Sequence, residues 1–284
     1  MQSYWFGDVE GTSYQPFDGS VEELVERIKN LRVDIEEFVP LEWEIARQCG
    51  VAATREEYLD KVKAVCVFMA RQNVASYYQR RDVKLIHMVR MLDGIDEATN
   101  RLTEDAIEWY RTQDPSFSMK YRKIPHRQVT DMMTSGDESF REVKEEIERI
   151  ANIRAILMKE VARTANEIIP NTSALLGGLV AARLLARCGG LRELSSLPGS
   201  SIQVMGASTA LFSHLKNGTP SPKHGIIFQN YRVHNAPRQV RGKVARILSS
   251  KVAIAARLDY YRGKQCPEFV REAIESVSRA RYRT

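Results

Sequence analysis

The sequence is poor in the residues and patterns on which most chemistry depends. Its four cysteines, Cys49, Cys66, Cys188 and Cys266, lie far apart, with no C-x-x-C pair and no histidine at ligand spacing. That argues against a structural zinc site and against a disulfide framework. Five histidines are scattered over 284 residues. The chain has no G-x-G-x-x-G, no G-x-x-x-x-G-K-S/T, no H-E-x-x-H and no G-x-S-x-G, so the common nucleotide, metalloprotease and hydrolase sites are without support. No catalytic residue, cofactor or metal is expected. No apolar run approaches the roughly 20 residues of a membrane span, and the N-terminus, MQSYWFGD, lacks the basic and apolar regions of a signal peptide. A cytoplasmic protein with reduced thiols and no membrane partner is the expectation.

Acid is the other scarcity, and it is local. Residues 170–284 carry 18 Lys and Arg against 5 Asp and Glu, whereas residues 1–169 carry 24 against 31. One part is acidic and the other strongly basic. Such segregation suggests two partners of different kinds, with a polyanion on the basic side.

What is present reads mainly as helix. Tyr4, Trp5, Phe6, Val9 and Tyr14 alternate with small residues around Gly7 and Gly11, which predicts a short strand or hairpin. From Ser20 the period turns helical, with Leu24, Ile28, Leu31 and Ile35 on one face, Ser20 and Glu23 spaced as a capping box, and Pro40 closing the helix. Residues 1–52 are therefore assigned to a small α/β module. A second helix starts near Thr54 and is expected to run with little interruption to Tyr110.

Leu85, Met88, Leu92, Ile95, Thr99, Leu102, Ala106 and Trp109 form a heptad seam. After an irregular stretch near 111–138, a second seam follows with Val143, Ile147, Ile150, Arg154, Leu157, Val161, Thr164 and Ile168. Two seams about a break predict an antiparallel coiled-coil hairpin over 53–169, with plain two-helix packing inside a bundle as the alternative. Leu92, Ile95, Leu102, Ile150, Leu157 and Val161 are its candidate dimerisation residues, and Arg154 and Thr164 are candidates to fix register or to dock another subunit. Beyond Pro170 a helix rich in small residues, NTSALLGGLVAARLLARCGG, is expected to be capped by Asn171 or Thr172 and ended by Gly189-Gly190. A helical domain covers 170–264, and an amphipathic helix with a basic tail covers 265–284.

The most lopsided stretch is Gly206–Lys264, with eleven Lys or Arg and one acid, Asp259. A helix from Pro237 would place Lys243, Arg246, Ser250, Ala253 and Arg257 on one stripe, and Val240, Val244, Ile247, Ile254 and Leu258 on the buried side. Basic ends around small residues suit a phosphate backbone, although a solvated basic face is the alternative. Pro220 and Pro222 stiffen the loop TPSPKHG, which presents Lys223 and His224 beside this helix. His224 is either a contact to irregular RNA or a support for the turn. Gln229, Asn230, His234 and Asn235 add uncharged donors and acceptors, and Arg241 adds charge. The candidate RNA-binding set is Lys223, His224, Gln229, Asn235, Arg241, Lys243, Arg246 and Arg257. No helix-turn-helix pairing is found.

The run ALLGGLVAARLLARCGGLRELSSLPGSSIQVMGA, followed by KHGIIFQ and RGKVARILSSKVAIAARLDYY, resembles the Nop domain of the core proteins of box C/D ribonucleoproteins, over roughly residues 165–264. The resemblance implies a mainly α fold: an antiparallel coiled-coil hairpin joined to an all-helical Nop domain, with a small N-terminal α/β module. It implies a non-catalytic scaffold that binds kink-turn guide RNA together with a ribosomal-protein-like subunit. It also implies self-association through the coiled coil, and an N-terminal domain that holds the methyltransferase fibrillarin for 2′-O-methylation. The chain departs from the family at Gly206-Ala207-Ser208-Thr209 and Ala210-Leu211-Phe212-Ser213, where GAEK and ALFR are common, in its short N-terminal region, and at Asp114-Pro115-Ser116-Phe117. An autonomous, coiled-coil-dimerised nucleic-acid-binding regulator is the alternative function.

Overall fold

The computed structural model describes residues 2–11, 13–17, 19–31, 43–114 and 137–282. The chain divides into two compact units, Met1–Arg80 and Arg81–Thr284.

In the first unit β1 (Gln2–Tyr4), β2 (Gly7–Glu10) and β3 (Ser13–Pro16) form an antiparallel sheet in that order, with Val9 opposite both Gln2 and Tyr14. The aromatic residues of the N-terminus build its core. Phe6 is buried, stacks on Tyr4 at 5.2 Å, and packs in one cluster with Ala46, Ala52 and Tyr58. Helix α1 (Val21–Asn30) begins at the expected capping box: Glu23 N donates to Ser20 Oγ at 3.4 Å and Ser20 N to Glu23 Oε2 at 2.7 Å. The helix ends at Asn30, with Leu31 as its C-cap. Ile35 and Pro40 lie outside the described residues. Helices α2 (Trp43–Gln48) and α3 (Arg55–Gln79) complete the unit, and Thr54 Oγ1 caps α3 by accepting from Glu57 N at 3.2 Å.

The helix expected to run from Thr54 to Tyr110 breaks at Arg80, whose backbone is extended (φ −64°, ψ 132°). Just beyond, the buried carboxylate of Asp82 accepts from Val83 N at 3.1 Å and from Leu191 N at 3.0 Å. That bond fastens the start of α4 (Arg81–Gln113) to a residue far along the chain. The hairpin's first arm therefore begins at Arg81, and α3 belongs to the first unit.

Helices α4 and α5 (Glu138–Ile168) pack antiparallel: Asp96 pairs with Arg154, and Ala106 and Tyr110 share a cluster with Phe140 and Ile147. The irregular stretch 115–136 between them lies outside the described residues. The second seam is as expected, with Ile147, Val161 and Thr164 buried. The first differs at every other position. Leu85, Leu92, Thr99 and Ala106 are buried, but their seam partners are Val89, Asp96, Thr103 and Tyr110 in place of Met88, Ile95, Leu102 and Trp109. Leu102 and Trp109 are 40% and 37% exposed. Polar pairing explains the shift. Asp96 must face inward to meet Arg154, and the two threonines are satisfied by their own helix, Thr99 Oγ1 donating to Ile95 O and Thr103 Oγ1 to Thr99 O, each at 2.7 Å.

The rest of the second unit is helical: α6 (Pro170–Leu176), α7 (Gly178–Cys188), α8 (Leu191–Ser196), α9 (Gly199–Val204), α10 (Ser208–Asn217), a 3-10 turn (Ile226–Gln229), α11 (Tyr231–His234), α12 (Arg241–Arg262) and α13 (Pro267–Tyr282). Helix α12 runs through the core, burying Val244, Ala245, Leu248, Val252, Ala255 and Ala256. The same core includes Leu85, Leu92, Val161 and Ala165, so the base of the hairpin and the helical body fold as one unit.

The single helix expected after Pro170 is split at Gly177, whose φ of 83° suits glycine. Its N-terminus is capped from a distance. Asp259 of α12 accepts from Asn171 N at 2.9 Å, Asn171 Nδ2 at 2.8 Å and Thr172 N at 2.9 Å. The one acid of the basic stretch is thus a buried structural cap. Among the described residues no helix is long and apolar enough to cross a membrane.

Candidate nucleic-acid interface

The loop before the 3-10 turn is fastened by backbone. Gly225 N donates to Gln203 O at 2.8 Å and Ile226 N to Met205 O at 2.7 Å, while Gln203 Nε2 donates to Lys223 O at 2.8 Å. A Cβ on Gly225 would lie 2.0 Å from Met205 O, so only glycine permits this approach. Beyond the turn, buried Asn230 donates through Nδ2 to Leu175 O at 3.2 Å and Leu176 O at 3.0 Å, and its Oδ1 accepts from Arg232 N at 2.9 Å. Both ends of the segment are thereby held to the helical body.

Phe228 is the centre of what this segment presents. The His224 ring stacks on it at 4.4 Å with a 12° interplanar angle, His234 lies at 5.0 Å, and the Arg241 guanidinium sits 5.2 Å from its centroid. Burial, then the nearby positive charges of Arg241 and Lys223, hold the His224 pKa below its ordinary value. The ring is therefore neutral at pH 7. Arg241 also donates from Nη2 to His234 O at 3.1 Å and Ala236 O at 3.2 Å, and His234 Nδ1 lies 3.0 Å from Asn235 Oδ1. Exposed Lys223 lies with its aliphatic chain against Gly242. A flat ring stack with a lysine and a guanidinium beside it can receive a phosphate and an unpaired base together.

The basic stripe of α12 is interrupted. The chain turns at Pro237, but the helix proper starts at Arg241. Lys243, Arg246 and Arg257 are exposed, as the spacing predicts. Between them, however, α9 crosses the helix. A Cβ on Gly199 would lie 2.8 Å from Ser250 Cα, and Ala253 is only 4% exposed. A protein helix thus lies against the Ser250 backbone and leaves Ala253 buried, while the Ser250 side chain stays exposed at the edge of the crossing. Ile254, expected inside, is 41% exposed. Arg257 Nε donates to Ser195 O at 3.2 Å, which ties it to the far side of this crossing. The stripe is thus two sites, with Lys243 and Arg246 on the loop's side and Arg257 apart from them.

A network of charge links this surface to the hairpin. Arg183 of α7 pairs with Asp96 at 3.1 Å and Asp93 at 3.3 Å on α4, and its Nη1 donates to Gln229 Oε1 at 3.0 Å. Arg154, flagged by the sequence as a polar seam residue, pairs with the same Asp96 from α5. Among the described residues no group of three or more His, Cys, Asp or Glu is placed to hold a metal ion. Burial and then Glu193 push the Cys188 thiol up to about 12, which is unlike a nucleophile.

Residues 82–279 match the model of a protein family described as "Nop: snoRNA binding domain, fibrillarin". The chain belongs to the Nop family. It is 27% identical over 277 residues to an uncharacterized NOP5 family protein of Methanocaldococcus jannaschii, the match covering 84% of this chain and 67% of that protein. It is 38% identical over 234 residues to putative nucleolar protein 5-3 of Arabidopsis thaliana (69% and 52% covered), and 29% identical over 228 residues to nucleolar protein 58 of Neurospora crassa (67% and 38%). The chain thus spans from under half to two thirds of the curated relatives it matches. Among solved structures, a crystal structure of a fibrillarin/Nop5p complex shares the fold, with a TM-score of 0.53, 24% identity and 98% of both chains covered.

In this Nop domain the structure gathers Lys223, His224, Gln229, Asn235 and Arg241 about one turn, with Lys243 and Arg246 on the helix that follows. Phe228, Asn230 and Arg183 were not singled out as anchors, although Gly225 and Asn230 flanking an apolar IIFQ are the marks of a held turn. Of the six candidate dimerisation residues, Leu92 and Val161 are buried within this chain's own hairpin, and Ile95, Ile150 and Leu157 are half-buried. Only Leu102 is exposed, because the seam faces the hairpin's own second arm. Among the described residues the outward large apolar side chains of the hairpin are Met91, Leu102, Trp109, Ile153 and Ile156.

Proposed function

We propose that this chain is a non-catalytic scaffold of a box C/D guide ribonucleoprotein. In this reading the Nop domain binds kink-turn RNA together with a ribosomal-protein-like subunit, and the N-terminal unit holds fibrillarin for RNA-guided 2′-O-methylation of rRNA or tRNA. The hairpin pairs two copies through its outer face at Met91, Leu102, Ile153 and Ile156. A cytoplasmic location is part of the proposal. The observation that carries the reading is the Phe228-centred stack, fastened at both ends to the helical body, with Arg241 over the ring and Lys223 beside it. The family match and the relatives' names support the scaffold part of this reading; the location is proposed apart from them.

The test is a gel-shift titration of a kink-turn stem-loop RNA with this chain, with and without the kink-turn-binding subunit. Tight binding is expected only when the subunit is present, and Lys223→Ala with His224→Ala should weaken it at least tenfold. Equal binding without the subunit would support an autonomous nucleic-acid-binding regulator and refute the scaffold reading.

A further inference from the structure

A cleft of about 810 Å³ lies between the base of the hairpin and the RNA-facing turn, lined by Arg90 and Asp93 of α4, Arg183 and Arg187 of α7, and Phe228 and Gln229 of the turn. Val89, Ala186 and Ile226 also line it, and at Gly206 and Gly225 it meets bare backbone. Its size is that of a cleft for a small ligand, yet its charge is not that of an apolar pocket. Three arginines meet one aspartate there. Arg183 is occupied by Asp93, Asp96 and Gln229. Arg90 and Arg187 approach from opposite walls and make no ion pair among the described residues. Phe228 belongs to both the cleft and the His224 stack, so the two surfaces are continuous.

We infer that this cleft is a second anion site, in which Arg90 and Arg187 hold phosphodiesters of the RNA strand that continues past the Phe228 stack. This rests on the RNA-binding reading of the turn. Two exposed guanidiniums on the walls of one cleft, beside an Arg183 already neutralised by Asp93 and Asp96, leave net positive charge for phosphate oxygens. An acidic protein segment fits less well, because the cleft opens directly onto the His224–Phe228 stack, on which a base can lie flat and an aliphatic acidic side chain cannot. Rigid placement by Asp93 and Asp96 also gives the site a mechanical consequence: RNA seated there touches both the hairpin and the helical body.

The test compares Arg90→Gln with Arg187→Gln, made together, against Lys223→Ala with His224→Ala. The assay is the complex of this chain with the kink-turn-binding subunit. The probes are a kink-turn stem-loop with a single-stranded extension and the same RNA without it. The cleft variant should keep binding the short RNA, lose about tenfold in affinity for the extended one, and reduce its salt slope by roughly 1.5, the value for two single-strand phosphate contacts. Thermal melting of the free protein should be unchanged, since neither arginine carries a structural bond. If the loop variant weakens binding while the cleft variant leaves both affinity and slope intact, the cleft proposal falls and the interface stands. If neither variant has an effect, the interface itself is misplaced. Loss of an acidic peptide rather than of RNA would overturn the assignment of the ligand.

Discussion

Replacing Gly225 by alanine should disable the interface through one methyl group. The added Cβ would stand 2.0 Å from Met205 O, 2.7 Å from Met205 C and 2.9 Å from Val204 C, all backbone atoms. Contact of this kind needs roughly 3.2 Å, so the strands must separate by about 1 Å. Such a shift stretches the 2.8 Å bond to Gln203 O and the 2.7 Å bond to Met205 O beyond useful length. Two backbone bonds at about 1 kcal/mol each, with partial loss of packing around buried Ile227, give a cost of about 3 kcal/mol. For a unit of this size that lowers the melting temperature by roughly 6–12 °C. The stack displaced with the loop should cost RNA affinity about tenfold or more, since a base–aromatic contact contributes about 1–3 kcal/mol. Differential scanning fluorimetry and fluorescence anisotropy read the two effects. A variant that melts within 1 °C of the parent and binds RNA equally would refute the close backbone approach and the role assigned to it.

Asp259→Ala should lower stability by about 3 kcal/mol, because it strips the acceptor from three donors at the start of α6 while leaving RNA contacts untouched in the folded protein; urea unfolding measures it. Burial raises the Asp259 pKa above its ordinary value, against the pull of hydrogen bonds from Thr172 and Asn171. Since the folded value is the higher one, the group's contribution is full at low pH and falls as pH rises through the folded pKa, and Asp259→Asn should flatten that part of the stability profile. His224 has the opposite sense. Its folded pKa lies below 6.5, so its contribution is present above 6.5 and declines on acidification towards the folded value, and NMR titration should find its ring deprotonating below 6.5. On the hairpin, Thr103→Lys should cost the monomer more than about 2 kcal/mol, whereas Leu102→Lys should change monomer stability by less than about 0.5 kcal/mol and act on pairing instead, which sedimentation reads. Lys243→Ala with Arg246→Ala should reduce the salt slope of RNA binding by roughly 1.5, and Arg257→Ala should leave it unchanged.

Much of this was legible in the residues. The helical period, the capping box at Ser20 and Glu23, the second seam of the hairpin and the Lys223–His224 loop all follow from local rules that act within a few residues. What escaped depends on partners distant in the chain. The first seam turns by one residue because Asp96 meets Arg154, 58 residues away. The break at Arg80 accompanies Asp82 capping Leu191, and the start of α6 is capped by Asp259, 88 residues on from Asn171. The open middle of the basic stripe is narrowed by Gly199 lying against the Ser250 backbone. In each case a small or polar residue has two local readings, and only the neighbour brought by the fold selects between them.

The central claim is that this chain positions a methyltransferase on guide-paired RNA without doing chemistry itself. Reconstitution with fibrillarin, the kink-turn-binding subunit, guide RNA and S-adenosylmethionine tests it most directly, by scoring 2′-O-methylation of the target with this chain present, omitted, or carrying Gly225→Ala. The account predicts methylation with the parent chain, a strongly reduced rate with the variant, and none when the chain is omitted. Equal methylation without it would contradict the account.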